Sequence, residues 1–138
     1  MELNLKMLIE AAASGPLVYS DQPLSFWGGY DSHSGEVIDR RHPLSGQVLT
    51  GKILVFPGSR GSSSGSGVLL EAIRNHTAPA GIITLEADHI LCLAALLAQE
   101  LYARTIPVAA APPDFFEWAV ANDGVSLRLT SDGRLETA

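Results

Sequence analysis

The sequence predicts an α/β domain in which a short parallel sheet with helices is joined by additional β-strands. Three observations carry that expectation. Lys52-Ile53-Leu54-Val55-Phe56 and Gly81-Ile82-Ile83-Thr84-Leu85 are continuous apolar runs of strand length, the pattern of strands buried on both faces. Each run precedes a segment of helical periodicity: Val68, Leu69, Ala72 and Ile73 after the first, and Ile90, Leu93, Ala94, Leu97 and Leu101 after the second. Ile106-Pro107-Val108 then supplies a third strand, and strand–helix–strand–helix–strand order implies a parallel three-stranded sheet.

The remaining elements follow along the chain. Leu3, Leu5, Met7 and Ile9 alternate with Asn4, Lys6 and Leu8, which reads as β. Leu17-Val18-Tyr19 and Ser25-Phe26-Trp27 are short β-like runs, cut by Gly15-Pro16 and Pro23, and Gly28-Gly29 and Asp31 to Gly35 mark turns. Val37-Ile38 is a short strand candidate. Pro43 biases His42 away from helix. Asp88 is placed to cap the second helix, whose apolar stripe is widened by Leu91, Leu96 and Tyr102. A helix this apolar is buried on most sides or covered by a partner. Pro112-Pro113-Asp114 opens a short helix through Trp118, stopped at Asp123-Gly124. Val125, Leu127 and Leu129 alternate, and Asp132-Gly133 is a hairpin turn.

Composition narrows the function classes. The chain's 138 residues accommodate one domain, taken as 1–138. Lys and Arg number 9 against 15 Asp and Glu, a net charge of −6, which excludes a generic phosphate-backbone binder and so nucleic acid. A single Cys excludes a disulfide framework or an all-cysteine zinc site. Glu2, Lys6 and Glu10 interrupt the N-terminal apolar residues, unlike a signal peptide, and Ile90 to Ala98 is too short to span a membrane. A cytoplasmic protein is the expectation.

The stretch Gly58-Ser59-Arg60-Gly61-Ser62-Ser63-Ser64-Gly65-Ser66-Gly67 lies between a buried strand and a helix. Such a loop aims backbone N–H groups and the helix's positive end at one point, which suits an anion or a developing oxyanion. It lacks the Gly-Lys-Ser/Thr of a Walker A loop and the third glycine of a dinucleotide fingerprint. A Gly/Ser tract is equally what a solvated linker looks like. Asp39-Arg40-Arg41-His42-Pro43 gathers two guanidiniums and an imidazole, which suit a carboxylate or phosphate, or else ordinary ion pairing in a turn. Cys92 reads as a small buried hydrophobe. His33, His76 and His89 show no metal-ligand spacing, so no metal site is expected in this chain.

Pro23-Leu24-Ser25-Phe26-Trp27-Gly28-Gly29, Asp39-Arg40-Arg41-His42-Pro43-Leu44-Ser45-Gly46 and Gly58-Ser59-Arg60-Gly61-Ser62-Ser63-Ser64-Gly65 occur in that order. Over residues 14–110 the chain resembles the small subunit of the aconitase X family, the swivelling-domain subunit of a heteromeric hydro-lyase. The resemblance implies an aconitase-type swivelling β/β/α domain. It implies a separate large catalytic subunit holding an iron or iron–sulfur centre through its own cysteines. It also implies a serine base, which falls on Ser62, with Ser63 and Ser64 as neighbouring alternatives. Activities in that family are dehydration of cis-3-hydroxy-L-proline in bacteria and of phosphomevalonate in archaea.

Under that resemblance, substrate contacts fall to Arg60, Gly61, Ser63, Arg41 and His42. A neutral serine is a poor base, and an alkoxide beside Arg60 and a helix N-terminus is a better one. Few charges and many alanines contrast with the Lys- and Glu-rich chains of archaeal thermophiles, which favours the hydroxyproline substrate over phosphomevalonate. A non-catalytic, anion-binding module that regulates a partner is the competing expectation. A stand-alone enzyme is disfavoured, because no His/Asp partner for a serine is evident.

Overall fold

The computed structural model describes residues 1–61 and 63–138. Among these, the elements run β1 (Glu2–Asn4), β2 (Lys6–Ile9), β3 (Ala13–Tyr19), α1 (Phe26–Gly29), β4 (Ile53–Val55), α2 (Ser64–Arg74), β5 (Gly81–Thr84), α3 (His89–Tyr102), β6 (Val108–Ala110), α4 (Pro113–Ala121), β7 (Ser126–Leu129) and β8 (Arg134–Thr137). The strands form one mixed sheet in the order β1-β8-β7-β3-β4-β5-β6-β2. β3 to β6 are parallel, and the flanking pairings are antiparallel. β1 and β2 stand at opposite edges, yet only Leu5 separates them in sequence. The sheet therefore curls until its edges share one chain segment, where the Leu5 N–H donates to the Gly133 carbonyl at 2.7 Å.

The period-2 geometry of strands divides the core in two. Leu54 and Phe56 join Val18, Ile82 and Val108 under α2 and α3. Ile53 and Val55 point the other way, with Leu17, Ile83 and Ala109, into the space that β7, β8 and α4 enclose. Both faces of the parallel strands are covered, which is why those runs are apolar throughout.

Several elements differ from the sequence reading. Four strands are parallel rather than three, because β3 joins β4 from Leu17 onward. β3 also runs straight through Gly15-Pro16. The Leu17 N–H donates to Val125 across to β7, so the Pro16 nitrogen faces the opposite side, where β4 pairing has not begun and no donor is required. A Cβ at Gly15 would lie 2.2 Å from the Gly51 carbonyl oxygen, so only glycine lets the two segments approach. The third expected strand starts later, at Val108, just past Pro107.

Ser25-Phe26-Trp27 is not β. It enters a single helical turn, broken by extended Trp27 (ψ 112°) and by Gly28 (φ 79°). That turn sends Phe26 into the core and leaves Trp27 64% exposed. Val37 makes a single isolated bridge, to Tyr30, instead of a strand. Of the two expectations for α3, burial on most sides does not hold. Leu91, Ala94, Ala95 and Ala98 face the core, while Leu93, Leu96 and Leu101 are exposed. Small alanines let α3 pack close against its neighbours, and the larger leucines are turned outward.

Candidate functional site

The Gly/Ser loop leaves the C-terminal end of β4, and the chain braces it from two sides. On one side stands Leu24. Its N–H donates to the Gly58 carbonyl at 3.3 Å, and its carbonyl accepts from the Arg60 N–H at 3.1 Å. This short parallel bridge extends the sheet locally through Leu24 and Ser59. On the other side stands Asp88, the N-cap of α3. Its Oδ2 accepts from the Ser59 N–H at 2.7 Å, and both carboxylate oxygens lie within 2.9 Å of the Ser59 hydroxyl. Oδ1 also accepts from the Leu91 N–H at 3.0 Å, the expected cap.

Beyond these braces the chain turns at Gly61, whose φ of 98° favours glycine and whose Cβ position would lie 3.1 Å from the Ser25 hydroxyl oxygen. Ser62 lies outside the described residues. Ser63 occupies the N-cap position of α2 without a side-chain cap bond, and its carbonyl accepts from the Ser66 N–H at 3.0 Å and the Ser66 hydroxyl at 2.6 Å. Gly65 lets α2 settle against α1, since a Cβ there would stand 3.5 Å from Phe26 Cβ and 3.7 Å from the Trp27 nitrogen.

The electrostatics of the two helix ends differ. α3 carries the Asp88 carboxylate at its start, against its positive end. α2 has no acidic residue in its first turn. Arg60 and Gly61 are exposed beside it. The described ion pairs are Arg74–Glu71 and Arg128–Glu136, and Arg60 takes part in neither. A positive end, a guanidinium and glycine-shaped backbone are what an oxyanion or a carboxylate requires.

The second sequence motif meets the same segment from behind. The Ile38 N–H donates to the Gly29 carbonyl at 2.9 Å, and a Cβ at Gly29 would stand 3.6 Å from Asp39 Cβ. His42 is buried. Its Nδ1 accepts from the Leu44 N–H at 3.1 Å, and Nε2 sits 3.4 Å from the Gln22 carbonyl. The tautomer with hydrogen on Nε2 satisfies both contacts. His42 thus supports the chain leading to Leu24. Arg41 is exposed, and its N–H donates to Asp39 Oδ1 at 3.0 Å. All three motifs thus converge on residues 22–29.

Among the described residues, no group of three or more His, Cys, Asp and Glu could hold a metal ion. Cys92 is half-buried in α3, and burial, with a smaller contribution from the Asp88 charge, raises its thiol pKa. Since the thiolate is the reactive form, Cys92 is expected to alkylate with iodoacetamide at neutral pH more slowly in the folded chain than in urea. Equal rates would contradict this.

Sequence reasoning identified Asp88 as a cap but missed its hold on Ser59. It also missed Leu24 as the opposite brace, because pairing between residues 24 and 59 leaves no local signal. Trp27 reads from the sequence as a core or interface residue, and its 64% exposure removes it from the core.

The aconitase X swivel domain model matches residues 2–137. The chain belongs to the aconitase X swivel-domain family. It is 48% identical to the cis-3-hydroxy-L-proline dehydratase of Pseudomonas aeruginosa over 95% of this chain and 22% of that protein. Against the phosphomevalonate dehydratase small subunit of Methanothermobacter thermautotrophicus it is 43% identical over 71% of this chain and 75% of that one. The crystal structure of Thermococcus kodakaraensis aconitase X in its holo-form superposes with a TM-score of 0.84 at 31% identity, covering 100% of this chain and 98% of that chain. Relative to the hydroxyproline dehydratases of P. aeruginosa and Hypocrea jecorina, the chain spans only about a fifth of their length, 22% and 19%. The expected swivelling α/β fold is thus the fold of this family. No described helix is long and apolar enough to cross a membrane.

Proposed function

We propose that this swivel domain supplies half of an active site that dehydrates a small hydroxy acid, cis-3-hydroxy-L-proline in the first instance. The observation that carries the reading is the braced Gly/Ser loop, held with the other two motifs around residues 22–29, at the N-terminus of α2, whose first turn has no acidic residue. Similarity to the P. aeruginosa dehydratase over 95% of the chain supports the substrate.

Dehydration breaks the C2–H bond, forms the C2=C3 double bond with that electron pair, and expels the C3 hydroxyl as water. The enamine then tautomerises to a pyrroline carboxylate. Ser62, in the motif register, takes the C2 proton. Arg60 and the α2 N-terminus stabilise its alkoxide or hold the substrate carboxylate. The Gly61 and Ser63 backbone and the Arg41 guanidinium complete the anion-binding wall, and His42 acts through its hold on Gln22. The departing hydroxyl would leave as hydroxide to a Lewis acid, which an iron or iron–sulfur centre in a large catalytic body would supply, and the proton taken by Ser62 then completes the water and restores the alkoxide. That body is either a separate subunit or the remainder of a longer chain.

Trp27 beside the loop and the exposed leucines of α3 are the surfaces such a body would cover. In a Trp118→Phe background, Trp27 emission is expected to shift to the blue when the large body is added. An unchanged spectrum in a formed complex would remove the loop edge from the interface.

The substrate assignment is tested by giving the complete enzyme each compound in turn. Turnover of cis-3-hydroxy-L-proline to a pyrroline carboxylate is the expected result. Turnover of phosphomevalonate alone would instead select the second reading, which the similarity to the archaeal small subunits and the exposed Arg40 and Arg41 support.

A further inference from the structure

We propose that Asp88 is the positioning residue of the catalytic loop, a clamp that ties the direction of residues 58–61 to the start of α3. The inference rests on the reading of that loop as catalytic. A carboxylate offers about four lone-pair sites, and here it receives three donors: the Leu91 N–H at 3.0 Å, the Ser59 N–H at 2.7 Å and the Ser59 hydroxyl. An N-cap needs only the first. The other two tie the loop's second residue to the N-cap of a helix, 29 positions later in the chain.

The clamp does not work alone. Leu24 fixes Gly58 and Arg60 through its backbone, so Ser59 and its neighbours are held from opposite sides. A Cβ at Gly58 would approach Asp88 Oδ2 at 3.1 Å, so the loop's first glycine makes room for the carboxylate. With residues 58 to 60 held, the chain's exit through Gly61 towards Ser62 starts from a fixed point. The carboxylate also sits against the positive end of α3, whereas α2 has no acidic residue in its first turn.

Chemistry separates cap from clamp. In Asp88→Asn the single side-chain carbonyl can still accept from Leu91, and Asn caps as well as Asp. The amide NH₂ then faces the Ser59 N–H, donor against donor, so the loop loses its backbone tie and keeps only the Ser59 hydroxyl contact, while the helix keeps its cap. Asp88→Ala loses both.

The experiment reads amide hydrogen exchange at Ser59 and Leu91 in this chain, together with kcat and KM of the complete enzyme. Asp88→Asn is expected to leave Leu91 protected and to release Ser59. A loop displaced by about 1 Å can cost 10²-fold, so kcat should fall about ten- to a hundredfold, while Asp88→Ala should also deprotect Leu91. Ser59 protection surviving in Asp88→Asn would overturn the clamp. So would a released Ser59 with kcat within about twofold of the unmodified enzyme, because the loop would then not need holding. If the unmodified enzyme dehydrates neither candidate substrate, the functional reading fails by itself, and the exchange at Ser59 still decides whether Asp88 holds the loop.

Discussion

Replacing Ser62 with alanine in the complete enzyme is expected to lower dehydration at least about 10²-fold, the usual contribution of a positioned base, while the complex still forms. The argument is chemical. A proton α to a carboxylate is weakly acidic, so the base must be an alkoxide, and an alkoxide is stable near neutral pH only where fixed positive charge meets it. The loop offers that charge in Arg60 and in the start of α2, whose own first turn holds no acidic residue. The same replacement at Ser63 is expected to change the rate little. Its side chain makes no cap bond, and its carbonyl, which accepts from Ser66, is unaffected. Full activity in Ser62→Ala, with loss in Ser63→Ala or Ser64→Ala, would move the base along the loop. Full activity in all three would remove serine catalysis.

The second large effect is on stability. Phe26 is 1% exposed, its ring lies 5.1 Å from that of Tyr30, and its Cβ faces Gly65 at the start of α2. Phe26→Ala is expected to cost about 3–5 kcal/mol, the transfer of the ring plus the cavity it leaves. Denaturant titration would show it as a lower midpoint at unchanged slope. A loss below about 1 kcal/mol would mean that the site collapses onto the cavity and that the packing of Phe26 against Tyr30 and Gly65 contributes little. Its neighbour makes the contrast: Trp27→Ala should leave stability nearly unchanged, because that ring is 64% exposed, and should weaken association with the large body.

Much of this architecture is legible in the sequence. The runs at 53–55 and 81–84 are apolar without alternation because both faces are covered, and that pattern is local. Asp88 could be read as a cap because capping involves only its immediate neighbours. What was not legible depends on distance along the chain. Gly15-Pro16 reads as a break until Val125 and Gly51 are in place around it. The inward face of α3 is not legible in the sequence, because periodicity counts hydrophobicity whereas the packing selects alanines for closeness over leucines for area. At the site, the loop announced itself through its glycines. Its two braces, Leu24 and Asp88, lie 35 and 29 residues from Ser59 and carry no motif of their own. His42 was grouped with the arginines by sequence proximity, but its burial turns it towards Gln22 and Leu44.

The most direct trial of the account uses the large body expressed without this domain, with the domain added separately. Dehydration of cis-3-hydroxy-L-proline should be absent from either preparation alone, appear on mixing, and stay absent when the added domain carries Ser62→Ala. Turnover by the large body alone, as fast as by the mixture, would show that this domain contributes no reacting group.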